Sequence, residues 1–589
     1  MKNKKLSFIC IFVMLFSAMC LSGCGEKFES EIDTDFGMVI EKDEINTEED
    51  IHIRDKNLIY ENLDNTEIVT MYLTVSYGNS AENTDHTWEE INTYSAYDYE
   101  EMGVDRYQIA GLIQVGDENG LIPGELGYGH VAPNCTVQIR GQSSSRNVQK
   151  NYKIKLKDNK GDWRGQTTIA LNKHQSDGLR FRNKLGFDLL TGIDELMSLR
   201  TTFVHLYVKD LTSGNDAKFE DYGIYTQVEQ LNKTALERHG LDKKGHLYKI
   251  NLCEFYRYED IIVLKDDQRY NLTAFEQILE IKGDDDHTKL IRLLDRINDY
   301  SIPIETILEE DLDIENIAYW MAFQILLGNV DTQNRNFYMY SPLNGDRFYI
   351  LSWDLDGMLN RGQYALLGRN DYTEWENGVS NYWGNVLFKR CLKSELYREK
   401  LDEAVEDLYE KLLDGRVEEY VKTYSELLKP LVFSGKDARY MPITPVQYDA
   451  VVNSIVPEIK SNYISYKESY EKPMPFYIGV PTVEDGKANL LWEASYTFDS
   501  EMISYTFELA SDYTFNNPII KMTDLKIPTV QFDVPPQGQY FIRVTAKDSG
   551  GQTQTAFDSY IVENGKVYGV KCFYVDANRN IVEDVYVED

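Results

Sequence analysis

The sequence predicts an α+β fold with two lobes, followed by an all-β module. Runs that alternate apolar and polar residues begin at Ile68, whereas apolar residues at helical spacing dominate after Asp311. Strand-rich sequence followed by helix-rich sequence is the layout of a two-lobed α+β domain. Short alternating runs return after Lys472, separated by turn residues at the spacing of a β-sandwich. At about 100 to 200 residues per domain, the chain is long enough for roughly three or four such units.

The composition excludes several classes of protein. Hydrophobic residues make up 42% of the chain, which is enough for a sizeable core and excludes a mostly disordered polymer. The chain carries 61 Lys+Arg against 97 Asp+Glu, a formal net charge of −36. Nucleic acid and anionic lipid surfaces are therefore poor partners for the folded body, and cationic partners are favoured.

Residues 1–23 have the pattern of a bacterial lipoprotein signal peptide. Three lysines near the N-terminus precede a nearly continuous apolar run that ends at Leu21. The sequence Leu21-Ser-Gly-Cys24 resembles a lipobox, in which the cysteine thiol receives diacylglycerol before cleavage. We expect cleavage before Cys24 and an extracytoplasmic protein attached to the bacterial cell membrane through its N-terminal lipid only. An uncleaved N-terminal anchor is the alternative.

Residues 24–62 predict an extended acidic tether. Eleven acidic residues against two lysines lie between Cys24 and Asp50. Such a segment repels itself and cannot bury enough apolar surface to fold.

The cysteines of the body predict neither a disulfide framework nor a metal site. Four of them are widely spaced and form no CxxC pair: Cys135, Cys253, Cys391 and Cys572. We expect buried free thiols.

Predicted elements divide the body near residue 470. Strands are expected at residues 68–75, 135–140, 152–156 and 203–208, and helices at residues 314–328 and 395–428. The two-lobed domain is therefore predicted to span residues 63–470.

The C-terminal part resembles a fibronectin-type-III module. Its predicted strands are residues 488–492, 505–509, 530–534 and 539–546. Trp492 is the expected core tryptophan. The module is predicted to span residues 472–564 and to be followed by a hairpin or tail at residues 565–589.

The most informative segment contains Asp331 and Asn336 in the spacing D-x-x-x-x-N, directly after a predicted helix. Asp354 ends a hydrophobic strand farther along the chain, and Asp356 follows it. Phosphoryl transfer requires a carboxylate that orients the attacking hydroxyl, and a carboxamide and second carboxylate that hold Mg²⁺ against the nucleotide phosphates. The order of these residues matches that requirement. Taken alone, the same residues could instead cap turns and end a strand.

A second segment offers cations for phosphate binding. Arg140 precedes a Gly/Ser loop that includes Ser143. Apolar residues alternate in the strand at residues 152–156, so Lys153 and Lys155 share the face away from the core. Cations beside a Gly/Ser loop in an acidic chain indicate phosphate contacts. A polar hairpin with a solvated basic strand is the alternative.

Together with further segments, these motifs resemble the CotH family of spore-coat-protein-H-like, atypical secreted protein kinases. The matching segments follow the family's order between residues 65 and 470: Arg140-Gly-Gln-Ser-Ser, Lys150-Asn-Tyr-Lys-Ile-Lys, Leu171-Asn172 with Asp177, Arg182-Asn183, Gly223-Ile-Tyr225 with Glu229, Leu247-Tyr-Lys249, Asn329-Val-Asp331 and Trp353-Asp354-Leu-Asp356. The resemblance implies a bilobal protein-kinase-like fold that transfers the γ-phosphoryl group of ATP to Ser or Thr of exported proteins. Gln142 and Asn151 depart from the family's pattern, but neither is an expected metal ligand.

The resemblance also implies roles for the candidate residues. Asp331 would be the catalytic aspartate, and the ligands of Mg²⁺ (or Mn²⁺) would be Asn336, Asp354 and Asp356. The expected ATP-binding residues are Arg140, Ser143, Lys153, Lys155 and Glu229. Which lysine reaches the phosphates is left open, and for Glu229 a salt-bridged or helix-capping role is an equal alternative.

Three classes of function follow from the sequence. The first is a lipid-anchored kinase whose substrates are exported coat or surface proteins, expected to be basic and Ser-rich because the kinase is acidic. The second is a non-catalytic surface or coat scaffold, or an adhesin, that retains the kinase-like fold. The third, a polysaccharide hydrolase, lacks a recognisable pair of acid and nucleophile carboxylates.

Overall fold

The computed structural model describes residues 53–584 apart from residues 62, 370–372, 500–501 and 564. The predicted signal peptide, Cys24 and most of the predicted tether lie outside the described residues. No helix within the described part is long and apolar enough to cross a membrane.

The first part of the described chain is a closed β-barrel. Its strands, with one short hairpin strand, β3, are β1 (Ile68–Ser76), β2 (Ile109–Asp117), β3 (Gly120–Leu121), β4 (Cys135–Arg140), β5 (Asn151–Leu156), β6 (Thr168–Asn172), β7 (Thr201–Asp210) and β8 (Glu220–Glu229). Neighbouring strands follow the order β1-β7-β8-β6-β5-β4-β2, and β2 pairs back with β1 to close the barrel. The β1–β7 pair is parallel and the other pairs of the barrel are antiparallel.

Alternate residues of the strands fill the barrel interior. In β5, Tyr152, Ile154 and Leu156 are buried in the barrel core. Lys153 and Lys155 therefore lie on the outer face, as the alternation in the sequence predicts.

A helical part with a second sheet follows the barrel. The helices of the described chain are α1 (Trp88–Thr93), α2 (Ala96–Met102), α3 (Arg182–Leu190), α4 (Lys233–Arg238), α5 (Leu272–Ile278), α6 (Thr288–Asn298), α7 (Ile304–Glu310), α8 (Ile314–Leu326), α9 (Arg361–Leu366), α10 (Val386–Lys393), α11 (Glu395–Leu412), α12 (Arg416–Val432) and α13 (Pro445–Ser469). The second sheet contains β9 (His246–Ile250), β10 (Leu279–Ile281), β11 (Phe337–Ser341) and β12 (Tyr349–Ser352), in the antiparallel order β10-β9-β11-β12. The helix predicted from residue 314 is confirmed as α8.

A buried ion pair joins the barrel to the helical part. Lys173, directly after β6, lies 2.6 Å from Asp437, and both side chains are buried. Asp437 also accepts the N–H of Ile224 in β8 at 2.8 Å. Gly223 has a φ of 73°, and a Cβ atom there would lie 2.0 Å from the Asp437 carboxylate, so glycine is required at this approach. A bilobal kinase architecture stays a prediction.

Three sheets form the described C-terminal part. The strands are β13 (Thr482–Glu484), β14 (Lys487–Leu491), β15 (Ser504–Ala510), β16 (Ile520–Leu525), β17 (Thr529–Asp533), β18 (Gly538–Lys547), β19 (Thr553–Thr555), β20 (Ser559–Val562), β21 (Gly565–Tyr568), β22 (Val570–Val575) and β23 (Ile581–Glu583). The sheets are β13-β14-β17, β16-β15-β18-β22-β23 with β19 paired to β18, and the β20–β21 hairpin. Residues of the first two sheets share one core that includes Trp492. The hairpin of β22 and β23 extends the β15–β18 sheet, because β22 pairs with β18. We refer to residues 472–584 as the C-terminal module; its assignment to the fibronectin-III class stays a prediction.

The cysteines of the described part are buried thiols. Cys135 lies in the barrel core, Cys253 and Cys391 lie in the core of the helical part, and Cys572 lies in the C-terminal module.

Candidate functional site

Two loops that carry candidate residues meet at one end of the β11–β12 hairpin. The register pairs Phe337, the first residue of β11, with Ser352, the last residue of β12. Asn336 directly precedes β11, and Asp354 follows β12 by two residues at the same end. Because paired strands lie about 4.8 Å apart, the hairpin brings the D-x-x-x-x-N motif and Asp354 to one edge of the second sheet.

Asn336 orients the carboxylate of Asp331. Its Nδ2 donates to Asp331 Oδ2 at 2.8 Å and to the main-chain oxygen of Asp331 at 3.1 Å. Asn336 has a φ of 62°, a left-handed conformation that Asn tolerates better than most residues. Since the amide nitrogen is used on Asp331, the amide oxygen is the atom suited to a cation. The side chain of Asp331 is 62% exposed, and Arg335 Nε lies 3.8 Å from its Oδ1.

Asp354 and Asp356 form an acidic pair directly after β12. Asp354 has a φ of 56°, and Leu355–Gly357 forms a short 3₁₀ turn. Burial, followed by repulsion from Asp356, raises the pKa of Asp354 well above its usual range. Burial also acts to raise the pKa of Asp356, but the interactions with His174 and a hydrogen bond with Asp354 together outweigh it, and the pKa is lowered. A divalent cation would stabilise the ionised form of both carboxylates.

His174 holds Asp356 through a chain of assigned hydrogen bonds. The N–H of Leu355 donates to Asn183 Oδ1 at 3.1 Å, which fixes the orientation of the Asn183 amide. Asn183 Nδ2 therefore donates to His174 Nε2 at 3.1 Å, and the His174 proton lies on Nδ1. That Nδ1–H donates to Asp356 Oδ2 at 3.0 Å. The sequence assigned no role to His174, although it lies two residues after the quoted Leu171-Asn172 segment.

Arg140 brings a cation to the acidic pair. It donates to Asn172 Oδ1, and its guanidinium lies 5.9 Å from the centroid of the Trp353 ring. Burial lowers the pKa of Arg140, and the Asp354 carboxylate opposes that shift.

The two lysines of β5 differ in their surroundings. Lys155 is exposed, whereas Lys153 is partly buried. Burial, then the positive charges of Lys282, Lys155 and Arg140, lower the pKa of Lys153. Lys153 is therefore the more enclosed of the two lysines.

A cross-strand row of the second sheet supplies another cation. The register aligns Glu280, Lys249 and Tyr338 on β10, β9 and β11. Burial lowers the pKa of Lys249, and the carboxylates of Glu280 and Asp354 oppose that shift. The sequence identified the segment containing Lys249 but gave it no role, because the register between distant strands is not visible in one segment.

The Gly/Ser loop lies on the surface beside Arg140. Ser143 is exposed and begins a 3₁₀ turn, Ser143–Arg146. Gly141 has a φ of 88°, and Arg106 donates to its main-chain oxygen at 3.0 Å.

Glu229 lies at the centre of a buried ion-pair network. It is 1% exposed, accepts the Nε–H of Arg200 at 3.1 Å, and lies 3.0 Å from His239 Nε2. Its other carboxylate oxygen accepts a hydrogen bond from Arg200 Nη2. Both oxygens are engaged by protein groups, which favours the salt-bridged interpretation over an adenosine contact.

The donor set fits a divalent cation that also binds phosphate. Asp354, Asp356 and the oxygen of Asn336 are hard oxygen ligands, and Mg²⁺ at phosphoryl-transfer sites takes one or two carboxylates together with phosphate oxygens and waters. Over the described ranges, no three His, Cys, Asp or Glu side chains form a group that could hold a metal ion by themselves. Phosphate oxygens would therefore have to complete the coordination.

Comparison with known proteins identifies the class. A family model described as CotH kinase protein matches residues 137–465, more than half of the chain. The chain therefore belongs to the CotH kinase family. Membership indicates a kinase-like protein and, in general, the use of ATP and a divalent metal ion.

Solved structures give only weak similarity. The crystal structure of the Helicobacter pylori proinflammatory kinase CtkA is 10% identical, with 54% of this chain and 95% of that chain covered and a TM-score of 0.24. The twitchin kinase region from C. elegans is 10% identical, with 69% of each chain covered and a TM-score of 0.17. Scores this low support no structural conclusion. No curated protein matches the chain.

Proposed function

We propose that the protein is an extracytoplasmic kinase that transfers the γ-phosphoryl group of ATP to Ser or Thr hydroxyls of exported proteins. One observation carries the proposal. The β11–β12 hairpin brings the Asp331–Asn336 loop and the Asp354–Asp356 turn to the same sheet edge, where the guanidinium of Arg140 lies 5.9 Å from the ring centroid of Trp353.

In the proposed reaction, Asp331 receives the proton of the substrate hydroxyl. The hydroxyl oxygen attacks the γ-phosphorus, the bond to the β–γ bridging oxygen breaks, and ADP leaves. The hydrogen bond from Asn336 Nδ2 keeps the Asp331 carboxylate oriented, and the 62% exposure of that side chain supports access by a protein substrate. Positioning of this kind converts a bimolecular encounter into an aligned one.

Fixed charges of the chain balance the phosphates in this proposal. Arg140, Lys153 and Lys249 are partly buried cations around the acidic pair, so they neutralise phosphate charge without reorganising. A divalent ion held by Asp354, Asp356 and Asn336 would neutralise the rest of the phosphate charge. His174 and Asn183 keep Asp356 ionised and oriented for that role.

Charge and the N-terminal motif support the proposed substrates and location. A net charge of −36 attracts basic, Ser-rich proteins at long range, and this attraction weakens with salt. The lipobox supports anchoring through Cys24. In cells that express the protein, we expect a labelled fatty acid to be incorporated into the wild type and Cys24→Ala to abolish that labelling. Equal labelling of the variant would contradict the lipid anchor.

Radiolabelled ATP with the mature chain, residues 24–589, tests the activity directly. With Mg²⁺ or Mn²⁺ and a basic Ser-rich protein, we expect label on the substrate or on the kinase itself. Asp354→Asn should reduce the rate by about 100-fold or more, since it removes charge at the phosphates. Asp346→Asn is the matched control, because Asp346 is 74% exposed. No label on the wild type, or an equal rate for Asp354→Asn, would refute the proposal.

A surface or coat scaffold is the second candidate function, favoured by the large C-terminal module. A thermal-shift titration separates the two, since ligand that binds only the folded state raises its stability. No shift with ATP and metal, together with binding to wall polymer or coat protein, would support the scaffold.

A further inference from the structure

Residues 378–385, the support segment, are hydrogen-bonded to the catalytic loop at residues 330–336. Asn381 donates from Nδ2 to the main-chain oxygen of Val330 at 3.1 Å and accepts from Gln333 Nε2 at 2.8 Å. Asn381 is 3% exposed, so both ends of its amide are used inside the protein. A buried side chain of the support segment therefore holds the catalytic loop through two hydrogen bonds.

Two more side chains of the support segment form hydrogen bonds with the same loop. The hydroxyl of Thr332 donates to the oxygen of Asn329 at 2.9 Å, so the hydroxyl of Tyr382 donates to Thr332 Oγ1, also at 2.9 Å. Asn385 donates from Nδ2 to the oxygen of Gln333 at 2.9 Å. Tyr382 and Asn385 are both buried. Buried hydrogen bonds of this kind are costly to leave unmade, so they specify one loop conformation.

The opposite side of the support segment packs on the C-terminal module. The Trp383 ring stacks on Tyr496 with 5.1 Å between ring centroids. Gly384 lies so close that a Cβ atom there would be 3.0 Å from the hydroxyl of Tyr477. Phe557 of the module is part of the apolar core of the helical part. The module and the catalytic loop thus contact the two sides of one short segment.

We propose that Asn381, Tyr382 and Asn385 are positioning residues for the catalytic loop, and that the C-terminal module holds them in place. The consequence for catalysis rests on the proposed function of Asp331; the consequence for the loop's rigidity does not. A catalytic group displaced by about 1 Å can lose about 100-fold in rate. In this proposal the C-terminal module contributes to catalysis by keeping the catalytic loop in position, and it is not only a spacer.

Variants of the full mature chain test this proposal. The double variant Tyr496→Ala/Phe557→Ala removes the module's aromatic contacts, and Tyr382→Phe removes only the hydroxyl on Thr332. Leu491→Ala is the control, because Leu491 belongs to the module and is 64% exposed. Two measurements are made on each variant: amide hydrogen exchange of residues 330–336, and kcat and KM for ATP.

The double variant should exchange the loop amides at least about tenfold faster, with a smaller increase for Tyr382→Phe and none for the control. We expect kcat to fall about 10- to 100-fold while KM for ATP changes less than about threefold. Unchanged loop exchange in both variants would overturn the proposal, as would a fall in kcat matched by an equal loss of ATP binding. If the double variant does not fold, Tyr496→Ala alone tests the module's contact with Trp383, and unchanged loop exchange in that variant would overturn the module's part of the proposal. The hydrogen-exchange measurement does not need kinase activity, so it tests this inference even if the wild type transfers no phosphate. Absence of phosphate transfer would refute only the proposed function.

Discussion

Replacement of Glu229 by glutamine decides between the two roles that its sequence context leaves open. The carboxylate is 1% exposed and bonded to Arg200 and His239. Glutamine keeps the size of the side chain but removes its charge, which leaves Arg200 buried beside a neutral partner. Removing one member of a buried ion pair costs about 3 to 5 kcal/mol. We expect Glu229→Gln to lower the free energy of unfolding by about that amount.

The assay is chemical denaturation of the mature chain, combined with titration of ATP at a temperature where the variant remains folded. Glu220→Gln is the matched control: Glu220 lies on the same strand, and its side chain is 65% exposed in a 2.6 Å pair with Lys436. Exposed pairs contribute about 0 to 1 kcal/mol. The control should therefore change stability little.

An adenosine contact would produce the opposite pattern. The free energy of unfolding of Glu229→Gln would then lie within about 1 kcal/mol of the wild-type value. Its ATP affinity would fall about tenfold or more, as for a lost hydrogen bond to a charged group. That combination would refute the salt-bridge reasoning.

Three further predictions concern the acidic pair, the β5 lysines and the buried histidine. Asp354→Asn should raise the thermal stability of the metal-free protein, because it removes repulsion from Asp356. The same variant should lose the added stability that ATP with Mg²⁺ gives the wild type. A melting temperature of the metal-free variant below that of the wild type would contradict the prediction. Lys153→Met should raise KM for ATP about tenfold or more through loss of a charged phosphate contact. Lys155→Met should change KM for ATP less than about twofold. A larger effect of Lys155→Met than of Lys153→Met would show that Lys155 is the lysine that contacts the phosphates. Burial alone would lower the pKa of His239, but hydrogen bonds to Asp55 and Glu229 raise it from 6.5 to about 9. A group whose pKa is raised by folding stabilises fully below its unfolded pKa, so this contribution should be complete below pH 6.5 and lost as the pH rises through about 9. Urea denaturation across that range should show a slope of up to about 1.4 kcal/mol per pH unit that His239→Gln removes; an equal slope in the variant would contradict the prediction.

Local patterns in the sequence predicted much of the fold and the core of the candidate site. Side-chain alternation located β5 and the face that carries Lys153 and Lys155. Helical spacing located α8, so Asp331 and Asn336 were known to follow a helix. Hydrophobic runs placed Asp354 after a strand. These features are readable because strand and helix periodicities depend on neighbours in the chain.

The remaining features of the fold and the site depend on contacts between segments that are far apart in the chain. Residues of β1 pair with both β2 and β7, and this closure of the barrel has no signal in any single run of residues. His174 and Asp356 are 182 residues apart in the chain, yet they share a hydrogen bond that orients a proposed metal ligand.

The sequence by itself determined the residue types available for chemistry and their order. Only the tertiary structure decided which of them are buried, paired or exposed: it separated Lys153 from Lys155 and enclosed Glu229 between Arg200 and His239. The physical reason is that burial and electrostatic interaction depend on distance in space, which the chain's local pattern does not encode.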